Sequence, residues 1–314
     1  MTNRIVTHWD ADGITSGYFT SFAYPEYELT IGDYSKGFGS TEGLTKEDIM
    51  CDMRPSDPKW NGTCIDHHFP HSSDRKYKLI PDIDNKLYHY ASDIIPATYI
   101  AWETFKDKIP KSEWWKICIG LGGDGALDLT PPEVFEECSM LLTPIKTSAY
   151  QSYGNWKINT YPLYSLLSSC MNSFLRKYDY ESAIYAMKFC QSPMELYNLP
   201  DVHIAKREVK SDYETCIKDA EIYEFGGLVI VIFSSKFRMS GYVSSSLSST
   251  FNGKTIMAIN EKTGSVSLRG TLSPYYKHKL KDLDYLTLDG HNMYMGGKLH
   301  KNPSVLINDL SALL

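Results

Sequence analysis

Aspartate and histidine residues are concentrated at four places along this 314-residue chain. The first place follows the apolar run Ile5–Thr7 and reads His-Trp-Asp-Ala-Asp-Gly. A lone aspartate ends the next apolar run, an Asp-His-His sequence ends a third, and a further aspartate stands in a glycine-rich turn. The residues that could bind metal or transfer protons at these places are His8, Asp10, Asp12, Asp52, Asp66, His67, His68 and Asp124.

The spacing of the first cluster suits cation binding. His8, Asp10 and Asp12 alternate, so in an extended segment their side chains project to one side. Imidazole and carboxylate ligands without thiolates favour Mn²⁺ or a similar first-row ion over structural zinc. Two ions about 3.5–4 Å apart need a bridging carboxylate and can activate water for attack on phosphorus. Asp52, which stands alone at the end of its apolar run, is the natural candidate for this bridge.

Strands and helices must position these residues. Short apolar runs that end before His8, Asp52 and Asp66 predict β-strands, and the periodic stretch 14–23 predicts a helix. Strands that alternate with helices are typical of βαβ units and a parallel sheet. Polar residues just past the carboxyl ends of parallel strands converge on one crevice. The sequence therefore predicts a single site at one edge of an α/β domain.

The pattern changes further along the chain. We predict helices over 92–105 (with Ser92 as N-cap), 113–121 and 203–220, a mostly helical region over 133–200, and strands at 228–233, 255–259 and 265–268. These elements indicate a first domain over residues 1–192, a helical linker over 193–214 and a smaller α/β domain over 215–314.

Composition narrows the class of protein. Apolar residues make up 42% and charged residues 22%, which is ordinary for a soluble protein with a core. A net charge of −6 argues against a protein that coats nucleic acid through a large basic surface. The start of the chain lacks the apolar segment of a signal peptide. No apolar run reaches the length of about 18 residues that a membrane span needs. None of the seven cysteines forms a C-x-x-C pair. We expect a cytoplasmic protein without a membrane partner.

The Asp66-His67-His68 sequence is the signature for which the DHH phosphoesterases are named, and the chain resembles that superfamily at several places. The stretches similar to the other N-terminal motifs are His8–Gly13, Asp52 and Gly120–Asp124. Downstream, the chain resembles the DHH-associated C-terminal domain of RecJ-like nucleases and nanoRNases at Val266–Arg269 and Gly290–Gly296, and an interdomain stretch at Asn172–Arg176. The resemblance thus covers nearly the whole chain.

The resemblance implies an α/β fold of two domains, an N-terminal parallel-sheet DHH domain and a smaller C-terminal α/β domain, with the active site in the cleft between them. It implies two Mn²⁺ ions, with Mg²⁺ or Co²⁺ as alternatives, held by Asp10, Asp12, Asp52, His67 and Asp124, and with His8 as a ligand or as a neighbour of one. In the family's mechanism Asp52 would bridge the ions, His68 would contact the scissile phosphate or position the attacking water, and Asp66 would orient a histidine. Substrate would be bound by Arg269, His291, Gly290, Gly296 and Arg176.

The expected activity is Mn²⁺-dependent hydrolysis of short oligonucleotides or single-stranded nucleic-acid ends, of the exonuclease or nanoRNase type. Two alternatives stay open. The chain could hydrolyse a small nucleotide, such as a cyclic dinucleotide or a compound of the 3′-phosphoadenosine 5′-phosphate type, or it could be a non-catalytic replication scaffold. The chain departs from the family pattern at Asp289, Tyr294 and Met295, where small residues are usual. These departures leave the identity of the substrate open. One sequence does not determine the sugar type, substrate length, cleavage polarity or oligomeric state.

Overall fold

A computed structural model describes residues 2–33, 38–68, 74–80, 95–150, 156–248, 250–291 and 293–313, with only the backbone described at 148–150, 156–157, 289, 291 and 312–313. The chain divides into two compact units. The first unit comprises residues 1–175 and 179–203, and the second comprises residues 176–178 and 204–314. Among the described residues, no helix combines the length and apolar character that a membrane span requires.

The first unit is built on a five-stranded parallel sheet. Its helices and strands, in chain order, are β1 (Arg4–Thr7), α1 (Ala11–Ala23), β2 (Glu28–Ile31), β3 (Ile49–Cys51), β4 (Thr63–Ile65), β5 (Lys78–Ile80), α2 (Ala97–Phe105), α3 (Ile117–Gly123), α4 (Pro132–Glu137), β6 (Pro144–Tyr150), β7 (Trp156–Pro162), α5 (Leu167–Arg176), α6 (Tyr180–Phe189) and α7 (Pro193–Asn198). The sheet order is β2-β1-β3-β4-β5, and every pair of neighbours runs parallel. This arrangement confirms the predicted parallel α/β domain.

The second unit contains a six-stranded mixed sheet. Its elements are α8 (Pro200–Lys218, which begins in the first unit), β8 (Glu221–Phe225), β9 (Leu228–Phe233), α9 (Ser240–Leu247), β10 (Thr255–Asn260), β11 (Ser265–Arg269), α10 (Ser273–Leu280), β12 (Leu286–His291), β13 (Tyr294–Leu299) and α11 (Pro303–Leu313). The sheet order is β12-β13-β11-β10-β9-β8. Apolar clusters pack on both faces of β9, because alternate residues such as Ile230 and Val231 point to opposite sides.

Two of the predicted helical regions need correction. The helix predicted from Ser92 begins instead at Ala97, after an extended Pro96, while Ser92 itself lies outside the described residues. Proline disfavours a helical conformation at the residue before it, which explains the late start. The stretch 133–200 is helical over much of its length, as predicted, but β6 and β7 form an antiparallel hairpin within it. The predicted helix over 113–121 is a 3₁₀-helix (Lys111–Lys116) continued by α3.

Candidate metal centre

Three neighbouring strands of the first unit's sheet end at the same edge, and each is followed by residues that can bind metal. β1, β3 and β4 lie side by side and run parallel. His8 follows β1, Asp52 follows β3, and Asp66 follows β4. A fourth contribution, Asp124, comes directly after α3. The four places in the sequence therefore meet at one site within the first unit.

The ligand atoms at this site form overlapping groups. In each group one nitrogen or oxygen atom per residue lies within 4.8 Å of the others, and the groups are Asp52/His67/His68, His8/Asp10/Asp52 and Asp12/His67/Asp124. Two residues, Asp52 and His67, each belong to two groups. The site is therefore one continuous cluster of carboxylates and imidazoles, and each of its three groups could hold a metal ion.

Distances from one histidine show how tightly the cluster is drawn together. The Nε2 atom of His67 lies 3.2 Å from Asp52 Oδ1, 3.5 Å from Asp124 Oδ2 and 3.7 Å from Asp12 Oδ2. These carboxylates come from segments far apart in sequence, so the cluster depends on the fold rather than on local spacing.

The carboxylate of Asp12 is held by the first turn of α2. Its two oxygens accept hydrogen bonds from the backbone amides of Ala97 and Thr98, each at 2.8 Å. The Thr98 hydroxyl also donates to the Asp12 carbonyl oxygen at 3.1 Å. Because helix N-termini carry unpaired amides and partial positive charge, they stabilise a buried carboxylate. Ala97 and Thr98 were not predicted as site residues, and no motif at these positions indicates the contact.

Two glycines allow the elements around the site to approach closely. A Cβ atom at Gly13 would lie 2.5 Å from the carbonyl oxygen of His8, and one at Gly123 would lie 2.9 Å from the Ala11 Cβ. Both distances are shorter than van der Waals contact, so only glycine fits without movement of the backbone. Gly13 thus lets the start of α1 lie against His8, and Gly123 lets the end of α3 lie against the start of α1, which carries Asp12.

The two outer histidines are paired with carboxylates. His68 Nδ1 lies 2.6 Å from Asp66 Oδ1, and His8 Nδ1 lies 2.8 Å from Asp10 Oδ2 and 3.2 Å from Asp52 Oδ2. Burial opposes protonation of His68, but the Asp66 carboxylate outweighs it and raises the pKa of His68 to about 9. In the same way, burial is outweighed by Asp10 and Asp52, which raise the pKa of His8 to about 10.

The carboxylates of the cluster repel one another. Burial, followed by the charge of Asp52, raises the pKa of Asp12 to about 8, and burial with the charge of Asp10 raises the pKa of Asp52 to about 6. Burial and neighbouring carboxylates also raise the pKa of Asp124 well above its ordinary value. Asp52 Oδ1 is buried and makes no hydrogen bond to any described residue. Oxygen and imidazole donors that crowd negative charge in this way fit a divalent metal ion.

Three of the residues predicted to bind substrate lie near one end of three adjacent strands in the second unit. The guanidinium of Arg269, on β11, lies 4.8 Å from the centre of the Tyr294 ring on β13. Gly290 and His291 end β12, where His291 is paired in register with Tyr294. The side chain of His291 lies outside the described atoms. The two bulky residues at 294 and 295 differ in exposure: Tyr294 is 55% exposed, whereas Met295 is buried in the core.

The remaining predicted substrate residues have different surroundings. Gly296 is exposed, and a Cβ atom there would meet nothing within 4 Å. Arg176 ends α5, and its guanidinium lies 4.4 Å from the centre of the Tyr242 ring. The side chain of Asp289, the acidic departure from the family pattern, lies outside the described atoms.

No family model matches this sequence, and no curated protein sequence matches it either. Solved structures do match its fold. RecJ from Thermus thermophilus in complex with Mn²⁺ has a TM-score of 0.63 and 13% identity, covering 99% of this chain and 51% of RecJ. An exonuclease RecJ bound to manganese has a TM-score of 0.61 and 14% identity, and the match covers 99% of this chain and 88% of that RecJ chain. The pGpG-specific phosphodiesterase PggH from Vibrio cholerae has a TM-score of 0.50 and 13% identity, and the match covers 99% of this chain and 98% of PggH.

The chain therefore spans about half the length of the Thermus thermophilus RecJ that it matches. The likeness at these levels of identity shows the fold. It confirms the two-unit α/β architecture that the motifs predicted.

Proposed function

We propose that this chain, which has the fold of the DHH superfamily, is a Mn²⁺-dependent phosphoesterase acting on short oligonucleotides or single-stranded nucleic-acid ends. The observation that carries the proposal is the sharing of Asp52 and His67 between overlapping groups of ligand atoms. Two cations held by shared ligands are a common arrangement for hydrolysing phosphate esters. Manganese is present in two of the matching RecJ structures and Mg²⁺ in another, so Mn²⁺ is our first choice, with Mg²⁺ or Co²⁺ as alternatives.

We assign the metal ligands to the residues whose atoms converge. They are Asp10, Asp12, Asp52, His67 and Asp124, with His8 as a further ligand or as a neighbour that pairs with Asp10. Asp52 is the bridging residue in this assignment because it belongs to two groups of ligand atoms. When bound, the two ions would activate a water molecule for in-line attack on phosphorus and offset the charge on the phosphoryl oxygens.

The protein's own residues would orient the reacting groups. Asp66 is fully buried and holds Nδ1 of His68, which leaves Nε2 of that ring to contact a phosphoryl oxygen or the attacking water. The α2 amides hold the Asp12 carboxylate in one orientation, so little reorganisation is needed when metal binds. Asp66 is thus a positioning residue, whereas His68 is the proposed contact with substrate.

We propose that the second unit binds the substrate through Arg269, Arg176, His291, Gly290 and Gly296. A guanidinium can donate two parallel hydrogen bonds to a phosphate. Stacking on Tyr294 restricts the guanidinium of Arg269, which favours such a contact. Replacement of Arg269 by glutamine should therefore raise KM more than it lowers kcat.

A second candidate function is hydrolysis of a small nucleotide, such as a cyclic dinucleotide or a compound of the 3′-phosphoadenosine 5′-phosphate type. The matching Vibrio cholerae protein is a pGpG-specific phosphodiesterase by name, and this chain covers nearly all of it. A non-catalytic scaffold role is disfavoured because the complete set of acidic and histidine residues is kept together at one site.

The proposal is tested by incubating the protein and Mn²⁺ with end-labelled RNA and DNA from dinucleotides to about 30-mers. Ladders from long strands would indicate an exonuclease, and cleavage of only two- to five-mers would indicate a nanoRNase. A His67→Ala variant should be inactive, whereas the matched control His203→Ala, at an exposed position on α8, should keep full activity. Absence of cleavage across the panel would overturn the oligonucleotide proposal, and a parallel assay with cyclic dinucleotides and 3′-phosphoadenosine 5′-phosphate would then test the second candidate.

A further inference from the structure

An exposed phenylalanine lies beside the candidate metal centre. The ring of Phe38 lies 5.6 Å from that of His8 at 79° and 6.4 Å from that of His68 at 80°, measured between ring centres. The ring therefore stands roughly perpendicular to two imidazoles of the cluster, yet Phe38 remains 45% exposed. Trp9 adds a second aromatic ring, 5.0 Å from His8.

The backbone next to Phe38 is fixed to the segment that follows β3. Gly39 has a φ of +67°, and a Cβ atom there would lie 1.9 Å from the carbonyl oxygen of Arg54. The Ser56 amide also donates to the Gly39 carbonyl oxygen at 2.8 Å. Arg54 lies two residues after Asp52, so the same segment carries the central carboxylate and holds the residue after Phe38. The position of Phe38 beside the metal centre is therefore fixed by the same segment that carries Asp52.

An apolar ring at the edge of a carboxylate cluster has no role in binding a phosphate group. An inorganic phosphate or polyphosphate presents only charged oxygens, which gain nothing from contact with a phenyl ring. A nucleobase has a flat aromatic face that stacks on phenylalanine in a manner tolerant of sequence. The exposed part of the Phe38 ring, close to His8 and His68, matches a base attached near the reacting phosphate.

We propose that Phe38 is a specificity-determining residue that stacks on the nucleobase adjoining the scissile phosphate, with Trp9 extending the aromatic surface. The site then selects nucleoside phosphates over inorganic phosphate chains. This inference rests on the proposed phosphoesterase function and names the class of substrate that the same site takes.

The first test measures binding without turnover. The affinities of the Mn²⁺-loaded protein for AMP and for ribose 5-phosphate, which lacks the base, are compared by titration calorimetry in the parent, Phe38→Ala and Phe38→Trp proteins. Base stacking predicts that the parent binds AMP about tenfold or more tightly than ribose 5-phosphate. Phe38→Ala should bring this ratio close to one, and Phe38→Trp should restore it.

A matched control is Phe189→Ala, which removes another exposed phenylalanine of the first unit and should leave the ratio unchanged. If Phe38→Ala weakens AMP and ribose 5-phosphate equally, Phe38 only supports the two histidines and the inference is wrong. If neither affinity changes in Phe38→Ala, the inference is overturned as well.

The second test measures hydrolysis of the dinucleotide pApA against an analogue in which the base next to the scissile phosphate is missing. The ratio of the two kcat/KM values should fall tenfold or more in Phe38→Ala. A parent protein that cleaves neither compound would contradict the proposed function, but the AMP to ribose 5-phosphate ratio would still decide the role of Phe38. A parent that binds neither ligand would overturn both.

Discussion

The Oδ1 atom of Asp52 lies 3.2 Å from Nε2 of His67, although the two residues follow different strands. β3 and β4 are adjacent and parallel, so the residues just beyond their carboxyl ends meet side by side. Asp52 has a φ of +58°, a left-handed conformation that aspartate and asparagine tolerate better than most residues. The tight turn after β3 thus leaves Asp52 where two groups of ligand atoms overlap.

Replacement of Asp52 by asparagine tests the shared-ligand assignment. Asparagine keeps the size and tolerates the left-handed backbone, so the fold should be retained. Removal of a buried charge that is repelled by Asp10 should raise the thermal midpoint of the metal-free protein. The same change should weaken Mn²⁺ binding at least tenfold and lower turnover at least a hundredfold, as measured by calorimetry and by dinucleotide hydrolysis. Asp107→Asn, at an exposed position after α2, is the control and should alter none of these three properties.

The stability of the metal-free protein should fall as pH rises. Burial and neighbouring carboxylates raise the pKa of Asp12 from 3.8 to about 8, and Asp66 raises the pKa of His68 from 6.5 to about 9 against the effect of burial. Between about pH 4 and pH 9 the folded protein therefore retains protons that the unfolded chain has released, which lowers the free energy of unfolding as pH increases. The pKa of His67 is lowered, so this group alone would make stability increase with pH below pH 6.5. It is one group, whereas several groups make stability decrease.

Thermal unfolding between pH 5.5 and 8.5, with EDTA and with Mn²⁺, measures this effect. The midpoint in EDTA should decline across the range, and the increase caused by Mn²⁺ should grow, because the ion replaces the protons. An Asp12→Asn variant should show a shallower decline in EDTA. A midpoint that rises with pH in the parent protein would contradict the assignment of the cluster as a group of mutually repelling carboxylates.

The part of the fold that forms the candidate site was predictable because three of its four segments directly follow an apolar run. The strands before His8, Asp52 and Asp66 all exist, and they are neighbours in the sheet. Local spacing suffices for this prediction, since parallel strands end at a common edge. The assignment of individual ligands stays a prediction, and so do the domain limits drawn from the sequence.

The features that the sequence did not predict depend on contacts between distant segments. The bond from the Thr98 amide to Asp12 joins residues 86 positions apart and leaves no local pattern. The hairpin of β6 and β7 lies in a stretch that the sequence predicts to be helical, and its exposed face includes Ile158, at 70% exposure. An exposed hairpin carries a weak period-two signal because it faces little core, so the surrounding helical pattern dominated the prediction.

Removal of one partner from a buried ion pair in the first unit should strongly reduce stability. Lys116 is fully buried, and its Nζ donates to the Met187 carbonyl oxygen at 2.6 Å, to the Tyr18 hydroxyl at 3.2 Å and to the Glu113 carboxylate. Replacement of Lys116 by methionine would leave Glu113 buried without its cation, at a cost of about 3–5 kcal/mol. The double change Glu113→Leu with Lys116→Met removes both charges and should cost less than the single change.

Denaturant unfolding followed by tryptophan fluorescence measures both variants. Lys46→Met breaks an exposed ion pair with Glu47 and serves as the control, with an expected change of at most about 1 kcal/mol. Equal losses in the single and double variants would mean that packing, not the pairing of charge, accounts for the contribution of Lys116.

Two glycines of the second unit allow substrate binding to be separated from stability. Gly290 has a φ of +134°, and a Cβ atom there would lie 2.5 Å from the Tyr294 carbonyl oxygen, so Gly290→Ala should destabilise the protein by about 1–3 kcal/mol. Gly296 is exposed with open space around it, and Gly296→Ala should change the free energy of unfolding by no more than about 0.5 kcal/mol. If Gly296 contacts substrate, as proposed, its replacement should raise KM severalfold while the thermal midpoint stays constant. Steady-state kinetics and thermal unfolding of the same preparations provide the comparison, and an unchanged KM in Gly296→Ala would remove this residue from the substrate-binding surface.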